Sequence, residues 1–216
     1  MNSEKLARFA KLSLEWNEKI NITAIRDEKE FMVKNVNDSL SLCGRPEIEN
    51  ASRVLDMGTG GGLPGMPLAI AYPEKKFVLV DSVGKKLKVI DDVAAKLGVT
   101  NVTTIHCRAE DLASKPEYRE GFDLVVSRAV ANLSSLCEYC LPFVRVGGSF
   151  VAYKTKAAAE EIEAAANAIR VLGGAPFEIV ESGAEEAGHI FVVIKKIKAC
   201  PKQYPRKAGT PTKLPL

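Results

Sequence analysis

From residue 53 onward the chain alternates seven short β-rich runs with helical stretches. The runs lie at 54–57, 77–81, 102–105, 124–127, 149–153, 177–180 and 190–197, and the helical stretches near 63–71, 84–97, 132–141 and 157–172. Strands that alternate with helices build a mostly parallel sheet covered on both faces, because each crossover helix must lie over the sheet to return the chain to the same end. The stretch 84–97 places Leu87, Ile90, Ala94 and Leu97 on one stripe and stops at Gly98, a residue suited to a helix C-terminus. Gly173-Gly174 ends the Ala-rich stretch in the same way. The last two runs are joined by 181–188, which has no helical period, and so read as an antiparallel hairpin at one edge of the sheet. A length of 216 residues suits one full-sized core with appendages.

Those appendages lie at the two ends. Residues 3–20 carry Leu6, Phe9, Ala10, Trp16 and Ile20 at helical spacing, with Trp16 read as a packing anchor. Asp27 and Glu30 form a capping-box pattern that opens a second helix, with Phe31, Val36 and Leu40 on one face. We divide the chain into a helical extension (1–50), an α/β domain (51–198) and a C-terminal tail (199–216). From Lys195 to the end there are seven basic residues and no acid, so the 23 basic residues before it face 27 acids and leave the body at about −4. A basic end on an acidic body matches a phosphate-backbone footprint, and equally a solubilising end. Five cysteines, an odd number scattered through the domain, read as reduced thiols in a cytoplasm. The polar start MNSEKLARFAK does not resemble a secretory signal, and no apolar run approaches membrane-spanning length, so no membrane is expected.

The most informative segment is Val54-Leu55-Asp56-Met57-Gly58-Thr59-Gly60-Gly61-Gly62-Leu63-Pro64-Gly65, a strand end, a glycine bend and a helix start. Glycines let backbone turn sharply and approach a ligand without a Cβ in the way. Asp81 ends the next strand, where it can accept hydrogen bonds from two ribose hydroxyls. A nicotinamide or flavin site shares this geometry, and so does a bend that only packs helix on strand. Two residues favour S-adenosylmethionine. Asp56 would face the cofactor's amino-acid and sulfonium end, a position a pyrophosphate would avoid through like-charge repulsion. After the third strand, Arg108-Ala109-Glu110-Asp111 offers an acid and backbone amides to an adenine amino group.

With Asp56-x-Gly58-Thr59-Gly60-x-Gly62-Leu63-Pro64-Gly65, Asp81-Ser82 and Ser127-Arg128-Ala129, the chain closely resembles the RsmG (GidB) family. These are bacterial 16S rRNA guanine-N7 methyltransferases. The likeness continues through Trp16-Asn17, Asn21-Ile22-Thr23, Asp38-Ser39-Leu40, the basic segment Tyr204-Pro205-Arg206-Lys207 and the terminal Pro215-Leu216. Where the family pattern has a basic residue followed by His, this chain has Lys34-Asn35, and where it has Lys-Gly, this chain has Lys154-Thr155. The resemblance implies a Rossmann-like class I methyltransferase fold with strand order 3-2-1-4-5-7-6. It also implies S-adenosyl-L-methionine as cofactor and methylation of guanine 527 of 16S rRNA, as naked RNA or in the assembling small subunit. By matching positions it assigns cofactor contacts to Gly58, Leu63, Ala109, Glu110 and Arg128, beside Asp56, Thr59, Gly60, Gly62 and Asp81 from the motif itself.

Guanine N7 carries an available lone pair, so its methylation needs alignment and water exclusion rather than a general base. The chain agrees in lacking a Pro-Cys pair after the fourth strand and an Asn/Asp-Pro-Pro-aromatic segment. Arg128, past the fourth strand, is read as the residue that positions the base or the cofactor carboxylate, with a surface salt bridge as the alternative. Lys34, Lys154, Arg206, Lys207 and Lys213 are assigned to RNA phosphates. Cys137-x-x-Cys140 falls in a helical pattern with no second pair, so no metal is expected. Residues 106, 107 and 189 are read as structural or undetermined, and the protein as a monomer. Other readings kept open are a methyltransferase for another base or a small molecule, and a non-catalytic RNA-binding assembly factor.

Overall fold

The computed structural model describes residues 2–128, 130–184, 186 and 188–216. In chain order it contains α1 (Ser3–Asn17), α2 (Glu28–Phe31), α3 (Asp38–Leu40), α4 (Pro46–Glu49), β1 (Arg53–Met57), α5 (Gly65–Ala71), β2 (Lys76–Asp81), α6 (Gly84–Leu97), β3 (Val102–His106), α7 (Ala109–Leu112) and β4 (Phe122–Arg128). There follow α8 (Leu133–Cys140), β5 (Val144–Thr155), α9 (Ala159–Ala164), α10 (Ala166–Val171), β6 (Glu178–Glu181), β7 (His189–Lys195) and α11 (Thr210–Lys213). One seven-stranded sheet has the order β3-β2-β1-β4-β5-β7-β6. The first five strands in that order are parallel, and β7 runs antiparallel to both its neighbours. The strand order is the one the family resemblance implies, and the edge hairpin is the one expected from the residue pattern.

The central strands are apolar on both faces because both faces are covered. On one side Val54, Phe77, Leu79, Leu124, Val126, Val151 and Tyr153 pack with residues of α1, α5 and α6. On the other, Leu55, Met57, Val125, Phe150 and Ala152 pack with α8 and α10. Gly98 ends α6 in the left-handed conformation, as expected.

The helical extension belongs to the first of these cores. Phe9 and Phe31 are each 1% exposed and meet at 6.2 Å between ring centroids. Burial of each ring contributes about 1.5–3 kcal/mol. Asp27 caps α2 by accepting from the Glu30 backbone N–H at 2.8 Å. Between α2 and α3 the chain is a π-helix over Met32–Asn37. Its i→i+5 pattern brings residues five apart onto one side, and Phe31 and Val36 are both buried. Trp16 packs against the core and donates its indole N–H to Asp92 at 2.7 Å.

Four details differ from the sequence reading. The helix after the glycine bend starts at Gly65 rather than 63, and the Ala-rich stretch is interrupted at Ala165, whose ψ is −7°. The four-residue α7 is too short to show a period. The C-terminal segment folds back onto α8, where Pro211 is buried and its carbonyl accepts from the Ser135 hydroxyl at 2.7 Å.

Candidate active site

The parallel strands end together, and the loops that follow β1, β2, β3 and β4 surround a cavity of about 390 Å³. That size falls in the range of small-ligand sites. At the end of β1 the backbone N–H groups of Gly58 and Thr59 both donate to the Val80 carbonyl, at 2.8 and 3.0 Å. Gly58 has φ +73°, and a Cβ there would run into the Val130 side chain. The chain thus passes close under Val130 with its backbone facing the cavity, which is why this position demands glycine.

Two aspartates hold the bend. Asp56 is fully buried, and its Oδ2 accepts from the Thr59 hydroxyl at 2.6 Å and from the Gly65 N–H at 2.8 Å. A Cβ on Gly65 would stand 2.7 Å from that oxygen, so glycine is needed for the contact. Asp56 Oδ1 is buried with no hydrogen-bond partner. Burial pushes the carboxyl up to about 6, against the opposing pull of Thr59, Gly65 and Arg128. Asp81, at the end of β2, accepts from the Gly60 N–H at 2.9 Å and from the Val83 N–H at 2.8 Å. Each carboxylate oxygen has a second lone-pair site, and Asp81 lines the cavity.

Of the expected cofactor residues, Gly58, Asp81, Ala109 and Glu110 line the cavity. Asp56, Thr59, Gly60, Gly62, Leu63 and Arg128 do not; the first three build its wall from behind. Asp56 therefore organises the bend, where the sequence reading had it facing the cofactor. The cavity also takes in Cys107, Tyr139 and Thr212, which the sequence reading did not single out for this site. Tyr139 sits in an ordinary amphipathic helix and Thr212 in a basic end, so neither carried a local signal.

Arg128, at the tip of β4, reaches across to the helical extension. Its Nη1 donates to Asp38 Oδ2 at 2.8 Å and to the Lys34 carbonyl at 3.2 Å, and its Nη2 to Asn35 Oδ1 at 2.8 Å. Asp38 is fully buried, and its other oxygen pairs with His189 Nδ1 at 2.9 Å. His189 opens β7, which is antiparallel, so it arrives at the same end of the sheet as the tip of β4.

A family model described as GidB, rRNA small subunit methyltransferase G, matches residues 2–190. The chain belongs to this family. It is 49% identical to the ribosomal RNA small subunit methyltransferase G of Clostridium novyi over 220 residues, covering 100% of this chain and 90% of that protein. It is 47% identical to the protein of the same name from Clostridium beijerinckii, over 99% of this chain and 90% of the relative. A solved SAM dependent methyltransferase from Aquifex aeolicus shares the fold with a TM-score of 0.58 at 17% identity, covering 85% of this chain and 98% of that one. No helix among the described residues is long and apolar enough to cross a membrane.

For this GidB-family chain two of the cations assigned to phosphates are paired inside the fold. Lys154 is buried, and its ammonium donates to the Ala131 carbonyl at 2.7 Å and to Glu161 at 2.6 Å. Arg206 makes a two-pronged contact with the fully buried Glu138, with Nη2 to Oε2 at 2.7 Å and Nε to Oε1 at 3.0 Å. Both charges are spent on holding loops together, a use that sequence cannot distinguish from a phosphate contact. Lys34 is exposed and paired with Glu30 at 2.7 Å, and Lys207 and Lys213 are exposed. Cys137 and Cys140 are fully buried in α8, and burial raises both thiols.

Proposed function

We propose that this GidB-family chain transfers a methyl group from S-adenosylmethionine to N7 of a guanine in 16S rRNA, at guanine 527 by family resemblance. In this reading it acts as a monomer in the cytoplasm, on the RNA or on the assembling small subunit. The observation that carries the reading is one cavity lined together by the Gly58 backbone and by two carboxylates, Asp81 and Glu110. Asp81 has lone pairs for a ribose diol, Glu110 offers a carboxylate to an exocyclic amino group, and the Gly58 backbone borders the cavity beside them. When bound, S-adenosylmethionine supplies an electrophilic methyl group on a sulfonium whose departure leaves a neutral thioether.

The chain's own residues then have a positioning task. Guanidinium carries five N–H donors, and three of the Arg128 donors are engaged by Asp38, Asn35 and the Lys34 carbonyl. The remaining two suit the purine O6, which leaves N7 unencumbered to attack along the line of the breaking bond. The test is to incubate purified protein with labelled S-adenosylmethionine and small subunits from cells lacking this gene, and then map the methylated base. N7-methylguanine at position 527 supports the reading. Label on another base, or transfer only to a small molecule, overturns it.

A further inference from the structure

The C-terminal segment looks in sequence like a solvated basic end, yet the fold ties it down at many points. Arg119 donates to the carbonyls of Tyr204, Cys200 and Pro201 at 2.8, 3.0 and 3.2 Å. Arg206 is latched to buried Glu138, and Ser135 holds the Pro211 carbonyl. This docking carries Gly209 and Thr212 to the cavity that Gly58, Asp81 and Glu110 line. The Gly209 N–H donates to Glu110 Oε1 at 3.0 Å, and the Tyr139 and Thr212 hydroxyls are 2.8 Å apart.

We propose that the segment 199–216 is a wall of the donor cavity rather than only an RNA-facing tail. Tyr139, Thr212 and the Gly209 N–H are then positioning groups for the adenine end of the donor. The inference rests on the S-adenosylmethionine reading given above. Its chemistry is that of a bracketed carboxylate. Gly209 occupies one oxygen of Glu110 and turns the carboxylate, so that its other oxygen is directed at an exocyclic amino group. A purine with a carbonyl in place of that amino group offers an acceptor to an acceptor and is repelled. The paired hydroxyls of Tyr139 and Thr212 close the rim on the same side. Donor specificity thereby depends on a latch, Arg206–Glu138, that touches no ligand.

The experiment is calorimetric titration of the full-length protein, without RNA, using S-adenosylhomocysteine and its inosine counterpart as probes. RNA capture is measured separately. Wild type should prefer the adenosine compound. Arg206→Met should weaken S-adenosylhomocysteine binding by roughly tenfold and shrink the preference between the two probes, because Glu110 loses its bracket. Should Arg206→Met fail to fold, Thr212→Val and Tyr139→Phe carry the test, each weakening donor binding by about three- to tenfold. Lys207→Ala with Lys213→Ala should weaken RNA capture and leave donor affinity within about twofold. Unchanged donor affinity and unchanged probe preference in the folded variants would overturn the inference, and reduced RNA capture beside them would return the segment to RNA alone. A wild-type protein that ignores S-adenosylhomocysteine overturns the donor reading itself, which is a different failure.

Discussion

Asp38 and Arg128 are separated by 90 positions in sequence and by 2.8 Å in the fold, where they form the bond that locks the helical extension to the end of β4. Asp38 is fully buried and Arg128 nearly so, and Asp38 also holds His189. Removing one partner of such a pair leaves a charge uncompensated. Asp38→Ala should therefore cost about 3–5 kcal/mol of stability, read by urea unfolding. Asp38→Asn keeps an acceptor for the guanidinium and should cost less. Equal losses for the two variants would contradict a pairing role.

Asp56 gives a pH dependence with a defined sign. Its folded value of about 6 lies above the ordinary 3.8, so between those values the folded chain holds a proton that the unfolded chain has released. Stability should fall as pH rises through that window, by about 3 kcal/mol for a shift of roughly two units. The difference in unfolding free energy between wild type and Asp56→Asn, followed from pH 4 to 7, isolates this contribution. A difference that is flat across the window would show that burial does not raise the carboxyl.

Thiol reactivity should follow position in the fold. Cys107 is part-exposed and lines the cavity, whereas Cys137 and Cys140 are fully buried with raised thiols. Alkylation should reach Cys107 well before either helix cysteine, and saturating S-adenosylhomocysteine should slow it at least several-fold. Peptide mapping after timed labelling checks the order. Cys107 labelling that ignores the ligand would place the donor elsewhere.

Salt dependence separates the two kinds of tail cation. Lys207 and Lys213 are exposed, while Arg206 is consumed by Glu138. Replacing both lysines with alanine should lower the slope of log K against log salt for RNA by about 1.4, roughly 0.7 for each single-strand phosphate contact. RNA affinities measured at several salt concentrations check it. An unchanged slope would remove both lysines from the interface.

Much of this protein was legible because the signals are local or periodic. Alternating strand and helix patterns showed a doubly covered sheet, and the left-handed Gly98 and the capping Asp27 did in the fold what their residue types suggest. The internal partners of Lys154 and Arg206 were not legible, because sequence registers a positive charge and not the carboxylate, Glu161 or Glu138, that folding sets against it.

The sequence by itself determined a mostly parallel sheet with an edge hairpin, the glycine bend at Gly58 and the acid at the end of the second strand, since each is set by periodicity, by spacing or by a backbone conformation that favours glycine, while the order of strands came from the family resemblance. The tertiary structure alone decided which charges are spent internally and which face the cavity. It set Asp56 behind the glycine bend and brought Thr212 to the cavity, and it joined Arg128 to Asp38. Those outcomes depend on contacts between segments tens of residues apart, whose desolvation and geometry exist only once the sheet and its flanking helices have closed around them.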